Sequence, residues 1–229
     1  MPVFRLSDQL VFPPPEMAEP DGLLAIGGDL SPERLLLAYS LGIFPWFGPG
    51  DPILWWSPSP RLIIEPAAFT IPKRLARLLR QQAFLVTMDQ AFAQVITACA
   101  AIQRRQGPDT WITPEMVEAY SRLHSLGYAH SVECWREGEL VGGLYGVVLG
   151  RIFFGESMFS RTTNSSKVAL ATLVNQLHRW EFELLDCQIK SDHLLQFRAR
   201  EMSRQEFQKR LATNARHPTH RGKWDLSVA

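Results

Sequence analysis

The sequence predicts an α+β fold in two parts: a small N-terminal domain over residues 1–62 and a larger domain over residues 63–229. Two observations indicate this division. Prolines, glycines and three of the seven tryptophans crowd the first sixty residues, whereas regular helix and strand patterns begin only near residue 72. In the larger part, closely spaced strand candidates precede one long amphipathic helix, which predicts a mixed, largely antiparallel sheet flanked by helices.

The N-terminal part contains one well-marked helix. Ser31 is a favoured N-cap, Pro32 suits the first helical position, and Gly42 is a favoured residue beyond a helix end. The stretch 42–60 is too rich in proline for a long helix and predicts an ordered loop with short strands.

In the larger part, hydrophobic spacing predicts helices over 72–82, 90–104 and 114–125, and Gly127 lies where the C-cap of the last helix is expected. Strands are predicted over 130–135, 140–148 and 151–159, with turns at 137–138 and 150–151. A helix over 166–180 and a strand over 183–189 follow. A final helix starts near Ser203, with Glu206 at capping-box spacing, and the polar tail from Asn214 is expected to be loose.

Composition narrows the class of protein. Hydrophobic residues make up 46% of the chain and charged residues 21%, which is ordinary for a globular protein. The formal net charge is +1, so nucleic-acid binding would need a local basic patch. Three cysteines without a C-x-x-C pair, no secretory signal and no long apolar run predict a cytoplasmic protein that does not enter a membrane.

Two aromatic loops, 42–47 and 55–58, carry Trp46, Trp55 and Trp56 beside prolines. Large aromatic side chains are usually mostly buried, so each tryptophan is compatible with a core position. Because every nucleobase presents a π-face, the same loops also suit base stacking.

Glu156 lies in the predicted strand 151–159, where alternation places it on one face with Phe154 and Met158. A buried carboxylate without a partner is costly, so Glu156 needs a partner or a function. Two interpretations stay open: a structural ion pair with Arg151 or Arg161, and recognition of a cationic or amine-bearing substrate.

Asp186 and Gln188 are two residues apart in the predicted strand 183–189 and therefore share a face. A carboxylate beside an amide can hold and orient an attacking amine. Cys187 lies between them and is expected to face the opposite side, towards the core.

Several segments together carry a family resemblance that covers about 12–207. They are Gly27-Gly28-Asp29-Leu30-Ser31-Pro32, Gly42-Ile43-Phe44-Pro45-Trp46-Phe47, Trp55-Trp56-Ser57-Pro58, Thr110-Trp111-Ile112-Thr113, 155–161 and Asp186-Cys187-Gln188. In this order they resemble the leucyl/phenylalanyl-tRNA–protein transferase family. The resemblance implies transfer of Leu, Phe or Met from aminoacyl-tRNA to proteins that begin with Arg or Lys, which marks them for degradation by the N-end rule pathway. It also implies an acetyltransferase-like (GNAT-like) fold for residues 63–229.

The resemblance also assigns roles to residues at matched positions. Asp186, Gln188 and Glu156 are expected to form the catalytic centre, and Trp46 and Trp111 to hold the 3′-terminal adenosine. The pocket for the transferred side chain is expected to involve Leu144, Phe153, Leu170, Leu173, Leu177 and Leu185. This chain has Ser191 where the family usually has Asn, and Gln196-Phe197-Arg198-Ala199 where it has Ser-Leu-Gly-Ala, which leaves the acceptor loop open.

An aminoacyl ester is already activated, so we expect no cofactor and no metal, and the scattered histidines show no zinc-ligand spacing. The Gln188 carbonyl oxygen is expected to accept an amine hydrogen, and Asp186 to hold the side-chain amide or bias it electrostatically. Lys73, Arg77 and Arg80 share one face of a predicted helix, which suits either plain solvation or contact with tRNA phosphates. The protein is expected to be a monomer.

Two rival enzymes and one binding module stay open at this point. A CoA-dependent acetyltransferase would need a pyrophosphate loop, for which the nearest candidate, 104–109, contains Pro108 and ends in Asp109. A cysteine transamidase or protease would use Cys187 with His193. A tRNA-binding module without catalysis is the third alternative.

Overall fold

The computed structural model describes residues 3–102 and 111–226, which form two sheets. The N-terminal sheet has the strand order β1-β2-β4-β3. Its strands are β1 (Phe4–Leu6), β2 (Leu23–Gly27), β3 (Phe44–Pro45) and β4 (Leu54–Trp56), and helix α1 (Pro32–Ser40) lies between β2 and β3 in the chain.

The larger sheet has seven strands in the order β11-β5-β10-β9-β8-β7-β6. Their bounds are β5 (Arg61–Ile64), β6 (Leu85–Met88), β7 (Ala129–Arg136), β8 (Glu139–Leu149), β9 (Ile152–Ser160), β10 (Leu184–Gln188) and β11 (Arg200–Met202). Within this sheet, β9 and β10 pair in parallel, and all other neighbouring strands are antiparallel.

Six further helices accompany this sheet: α2 (Lys73–Arg80), α3 (Phe92–Ala100), α4 (Pro114–Ser125), α5 (Ser165–Arg179), the short α6 (Asp192–Leu195) and α7 (Arg204–Asn214), and two 3-10 turns lie at Pro15–Met17 and Pro66–Ala68. The predicted α+β class, with a mixed and largely antiparallel sheet flanked by helices, is confirmed. The division between residues 62 and 63 falls inside β5 and stays a prediction.

Helix starts follow the predicted caps. The Ser31 hydroxyl accepts from the Arg34 N–H, and the Ser203 hydroxyl accepts from the Glu206 N–H. Gly127 follows Leu126, the C-cap of α4, and has φ +78°, a conformation that glycine adopts without steric cost. The helix predicted over 90–104 is shorter in the structure, where α3 runs from Phe92 to Ala100; residues 103 and 104 lie outside the described residues.

The sheet separates two hydrophobic clusters. One lies on the side of α3 and α4 and includes the N-terminal sheet and α1; the other lies on the side of α5 and α2. The N-terminal part therefore shares a core with the larger part.

The prediction of a loose tail after Asn214 is wrong for the described residues. Trp224 is 1% exposed and stacks on His130, with ring centroids 3.8 Å apart. Its backbone N–H donates to the buried Asp89 carboxylate at 2.7 Å. The tail is polar in composition but contains one large aromatic side chain. Burial of this side chain fixes the tail on the larger part although the neighbouring residues are polar.

No helix in the described part of the chain is both long and apolar enough to pass through a membrane.

Candidate active site

The candidate site lies where β9 and β10 separate. The two strands pair only from Ile152 to Phe154 and from Leu184 to Asp186. Beyond this point β9 continues beside β8, whereas β10 continues beside β5. The divergence opens the sheet between the two hydrophobic clusters.

Each strand carries a β-bulge at this opening. In β9, Gly155 and Ser157 pair with adjacent residues of β8, which leaves Glu156 as the extra residue. In β10, Asp186 and Gln188 pair with adjacent residues of β5, which leaves Cys187 as the extra residue. A bulge breaks strand alternation and turns a side chain to a new direction. The simple alternation predicted for residues 154–158 therefore fails at Met158, which packs with the cluster on the α5 side, opposite Phe154.

Glu156 is buried and held by neutral donors. The Tyr120 hydroxyl donates to its Oε2 at 3.0 Å, and the Gln188 Nε2 donates to its Oε1 at 3.0 Å. Of the two interpretations left open for Glu156, the ion pair is wrong, because Arg151 pairs with Glu181 and Arg161 donates to the Leu140 carbonyl. Burial raises the pKa of Glu156 to about 7, although the hydrogen bonds from the tyrosines act to lower it.

Gln188 presents its side chain towards the site from an unusual backbone conformation, with φ +64°. Its amide nitrogen is held by Glu156, contrary to the expectation that Asp186 would hold it. Asp186 instead accepts the backbone N–H of Gln188 at 2.8 Å. With the NH₂ group engaged, the carbonyl oxygen of the Gln188 side chain is the part left to meet a substrate.

Asp186 is fully buried and pairs with an equally buried arginine. Arg61 Nε and Nη2 donate to the two carboxylate oxygens of Asp186 at 2.8–3.1 Å. The guanidinium lies between the rings of Phe44 and Phe207, 4.9 Å from each centroid. Asp186 therefore lies beneath the site, and Gln188 lies between it and the opening.

Cys187 faces away from Asp186 and packs with the cluster on the α5 side. Burial raises the pKa of its thiol well above the ordinary value, with a smaller contribution from Asp186. Its hydrogen bond, a weak one, runs to the Leu185 carbonyl rather than to His193. The side chain is partly exposed and lines the cavity described below, contrary to the expectation that it would face the core. A thiol of raised pKa is nevertheless a poor nucleophile, which disfavours a cysteine mechanism.

A cavity of about 670 Å³ opens at the divergence of β9 and β10. Glu156, Cys187, Gln188 and Ser191 line it. Its apolar wall includes five of the six residues expected to bind the transferred side chain: Leu144, Phe153, Leu170, Leu173 and Leu185. The sixth, Leu177, is fully buried and does not line the cavity.

Trp46, in the N-terminal part, and Trp111, in the larger part, line the same cavity. Trp46 is 39% exposed, and its ring lies 5.4 Å from that of Trp56. Trp55, in contrast, is fully buried and donates to the Gly27 carbonyl. The aromatic loops therefore supply both core and cavity.

Comparison with known proteins identifies the family. The family model described as leucyl/phenylalanyl-tRNA protein transferase matches residues 63–212, and the model of that family's N-terminal domain matches residues 28–59. The chain belongs to the leucyl/phenylalanyl-tRNA–protein transferase family. It is therefore an aminoacyltransferase, and the family uses aminoacyl-tRNA and protein substrates.

Similar relatives extend over nearly the whole chain. A leucyl/phenylalanyl-tRNA–protein transferase of Syntrophobacter fumaroxidans is 59% identical over 98% of this chain and 96% of its own length. One of Desulfatibacillum aliphaticivorans is 56% identical over 99% of this chain and 97% of its own length. Among solved structures, a GCN5-related N-acetyltransferase from Kribbella flavida covers 76% of this chain and 61% of its own, with 12% identity and a TM-score of 0.38. That likeness is too weak to bear on this transferase.

The basic residues Lys73, Arg77 and Arg80 lie on α2, exposed to solvent and outside the cavity lining. The candidate pyrophosphate loop at 104–109 lies outside the described residues, as does Thr110.

Sequence reasoning missed three residues at the candidate site: Arg61, Tyr39 and Tyr120. The hydroxyls of Tyr39 and Tyr120 share a short hydrogen bond, and the Tyr120 hydroxyl also donates to the Glu156 carboxylate. One signal was available for Arg61, which opens the run Arg61-Leu62-Ile63-Ile64 between two prolines. A charged residue in so apolar a strand indicates a buried partner.

Proposed function

We propose that this cavity carries the reaction of the family in this chain. Leu, Phe or Met passes from aminoacyl-tRNA to the N-terminal Arg or Lys of an acceptor protein, which is thereby marked for degradation by the N-end rule pathway. The α-amine attacks the ester carbonyl, a peptide bond forms, the ester C–O bond breaks, and the adenosine hydroxyl leaves with a proton. The observation that carries this assignment is one cavity that joins the Glu156–Gln188 pair, an apolar wall and two tryptophans.

Gln188 orients the attacking amine. Its NH₂ donates to Glu156, so its carbonyl oxygen is directed to the substrate and accepts an N–H of the amine. An amide is not a base, so this contribution is positional. Well-oriented reactants reach effective molarities of about 10⁵–10⁸ M, so positioning accounts for a large part of the rate.

Glu156 attracts the cationic N-terminus of the acceptor and takes its proton. Its pKa of about 7 lies close to the roughly 7.7–8.0 of an α-ammonium group, so proton transfer between them costs little. The hydroxyl of Tyr120 and the amide of Gln188 both donate to the carboxylate and hold it in place while it changes charge.

The donor enters from the tryptophan side. Trp46 and Trp111 are suited to stack on the terminal adenosine, since each stacked base is worth roughly 1–3 kcal/mol. The apolar wall around Leu170 and Leu173 takes the transferred side chain, and Ser191 lies beside the path of the acceptor.

The exposed face of α2 contacts the tRNA backbone. Lys73, Arg77 and Arg80 lie on it, and none of the ion pairs found among the described residues occupies them. Each phosphate contact releases counterions, which makes binding dependent on salt. We further propose that the protein acts as a cytoplasmic monomer without a cofactor.

The test is transfer of radiolabelled Phe from Phe-tRNA to a peptide that begins with Arg. The control peptide has the same sequence with its N-terminal amine acetylated, and acetyl-CoA serves as the competing donor. We expect label only in the free-amine peptide and no acetylation. Labelling of the blocked peptide, or acetylation of either peptide, would refute the proposed reaction.

A further inference from the structure

Arg61 is placed by the sheet beside the reaction centre without reaching the cavity. It opens β5, in which all four residues are buried, and it is 1% exposed. Because Ile63 pairs with Asp186 across β5 and β10, Arg61 lies on the same face as that carboxylate, one diagonal step away. The register of two strands thus brings together residues that are 125 positions apart.

The guanidinium is held from three directions. Nε and Nη2 bind both oxygens of Asp186, whereas Nη1 has no hydrogen-bond partner among residues 3–102 and 111–226. Its faces rest against Phe44, which also lines the cavity, and Phe207 of α7. The planar fork of arginine suits this bidentate contact, whereas lysine cannot reproduce it.

The contact between Arg61 and Asp186 also affects Gln188, because Asp186 binds the backbone of Gln188. Oδ1 of Asp186 accepts from Arg61 and also from the backbone N–H of Gln188, at 2.9 and 2.8 Å. Gln188 has φ +64°, a conformation that is uncommon for a non-glycine residue, so contacts to its backbone act as restraints. The carboxylate is one such restraint, and Arg61 fixes the orientation of the carboxylate.

We propose that Arg61 is a positioning residue for aminoacyl transfer: it fixes the Asp186 carboxylate, which holds the bulged backbone that presents Gln188 to the acceptor amine. This inference rests on the proposed function. Loss of Arg61 is expected to lower stability as well, because removal of one partner leaves the buried Asp186 carboxylate unpaired. A role in stability alone would leave the kcat of the folded variants unchanged.

The test compares Arg61→Met, which removes the charge, with Arg61→Lys, which keeps the charge and loses the fork. Each variant is made alone and together with Asp186→Asn. The matched control is Arg34→Met, since Arg34 is also 1% exposed and pairs with Asp29 at 3.1 Å, outside the cavity lining. Thermal unfolding and the kcat and KM of Phe transfer are measured for all variants.

We expect both Arg61 variants to fold and to lose about 100-fold in kcat, since small misplacements of a reacting group cost this much, while the KM for Phe-tRNA stays within about twofold. In the Asp186→Asn background, the further loss is expected to be under about threefold, because the two residues act as one unit. Arg34→Met is expected to lower stability and keep kcat.

A folded Arg61 variant with unchanged kcat would overturn the proposal. So would a loss of kcat in the Asp186→Asn background that is as large as the loss in the wild-type background. If neither Arg61 variant folded, Arg61 would be a folding determinant only, which would also overturn the proposal. Wild-type protein that transfers nothing would instead refute the proposed function.

Discussion

At the residue scale, the site contains two buried carboxylates with opposite surroundings. Asp186 is paired with the Arg61 guanidinium, whereas the hydrogen bonds to Glu156 come from neutral groups. The structure therefore places one acid in a buried ion pair and gives the other a pKa of about 7. Two acids in such different surroundings are typical of acid–base sites.

Glu156 makes stability depend on pH. Its pKa is about 7 in the folded protein and close to 4.5 in the unfolded chain, so the folded state binds the proton more tightly. The contribution of Glu156 to stability is therefore greatest below pH 4.5, falls by roughly 3 kcal/mol as the pH rises towards 7 and is level above that pH. Urea unfolding at pH 5 and 7.5 should show that Glu156→Gln removes this fall. An unchanged pH dependence in the variant would contradict the raised pKa.

For Cys187 we predict that substitution has little effect on activity. Because its thiol pKa is raised and it faces away from Asp186, Cys187→Ala should keep kcat for Phe transfer within about threefold of wild type, since a nucleophile would cost orders of magnitude. The measurement is the same transfer assay, with Gln188→Ala as the inactive reference. Loss of activity equal to that of Gln188→Ala would restore the cysteine mechanism.

At the element scale, sequence patterns predicted what local chemistry determines. Caps and periodicity located α1, α4, α5 and the meander β7–β9 because each signal lies within one element. The strands β5, β6 and β11 have three or four residues, too few for alternation to be visible. The pairing of Arg61 with Asp186 depends on strand register, and the bulges at Glu156 and Cys187 depend on neighbouring strands, so none of these could be derived locally.

The C-terminal tail provides a test of buried aromatic packing. Trp224→Ala should cost about 3–5 kcal/mol, because the side chain is 1% exposed and packs on His130 and Trp180. The matched change is Trp46→Ala, at a 39% exposed position, which should cost under about 1 kcal/mol and impair transfer instead. Chemical denaturation separates the two, and equal costs would contradict this description of the tail.

Helix α2 gives a prediction about tRNA. Arg77→Glu with Arg80→Glu should weaken binding and flatten its salt dependence by about 0.7–0.9 in logarithmic slope for each phosphate that the protein no longer neutralises. The control is Lys209→Glu. Lys209 is exposed and lies on α7, a helix that packs on the opposite side of the sheet from α2. Titrations at several salt concentrations measure the slope. If both variants keep the wild-type slope, α2 is not in the interface.

At the scale of the whole molecule, one opening in the sheet unites contributions from distant parts of the chain. The N-terminal part supplies Phe44 and Trp46, α5 and the strands β8–β10 supply the apolar wall, and the diverging ends of β9 and β10 supply Glu156 and Gln188. The N-terminal part and the larger part share a core, which places Trp46 at the same cavity as Glu156 and Gln188.

Single-turnover transfer of Phe from Phe-tRNA to an Arg-initiated peptide tests the central claim most directly, with wild type compared with Gln188→Ala and Asp186→Asn at saturating peptide. We predict that both variants bind Phe-tRNA with near wild-type affinity and lose at least about 100-fold in the rate of peptide-bond formation, as expected when the group that orients the amine is removed or misplaced. Near wild-type rates in both folded variants would show that this cavity does not carry the reaction through Gln188.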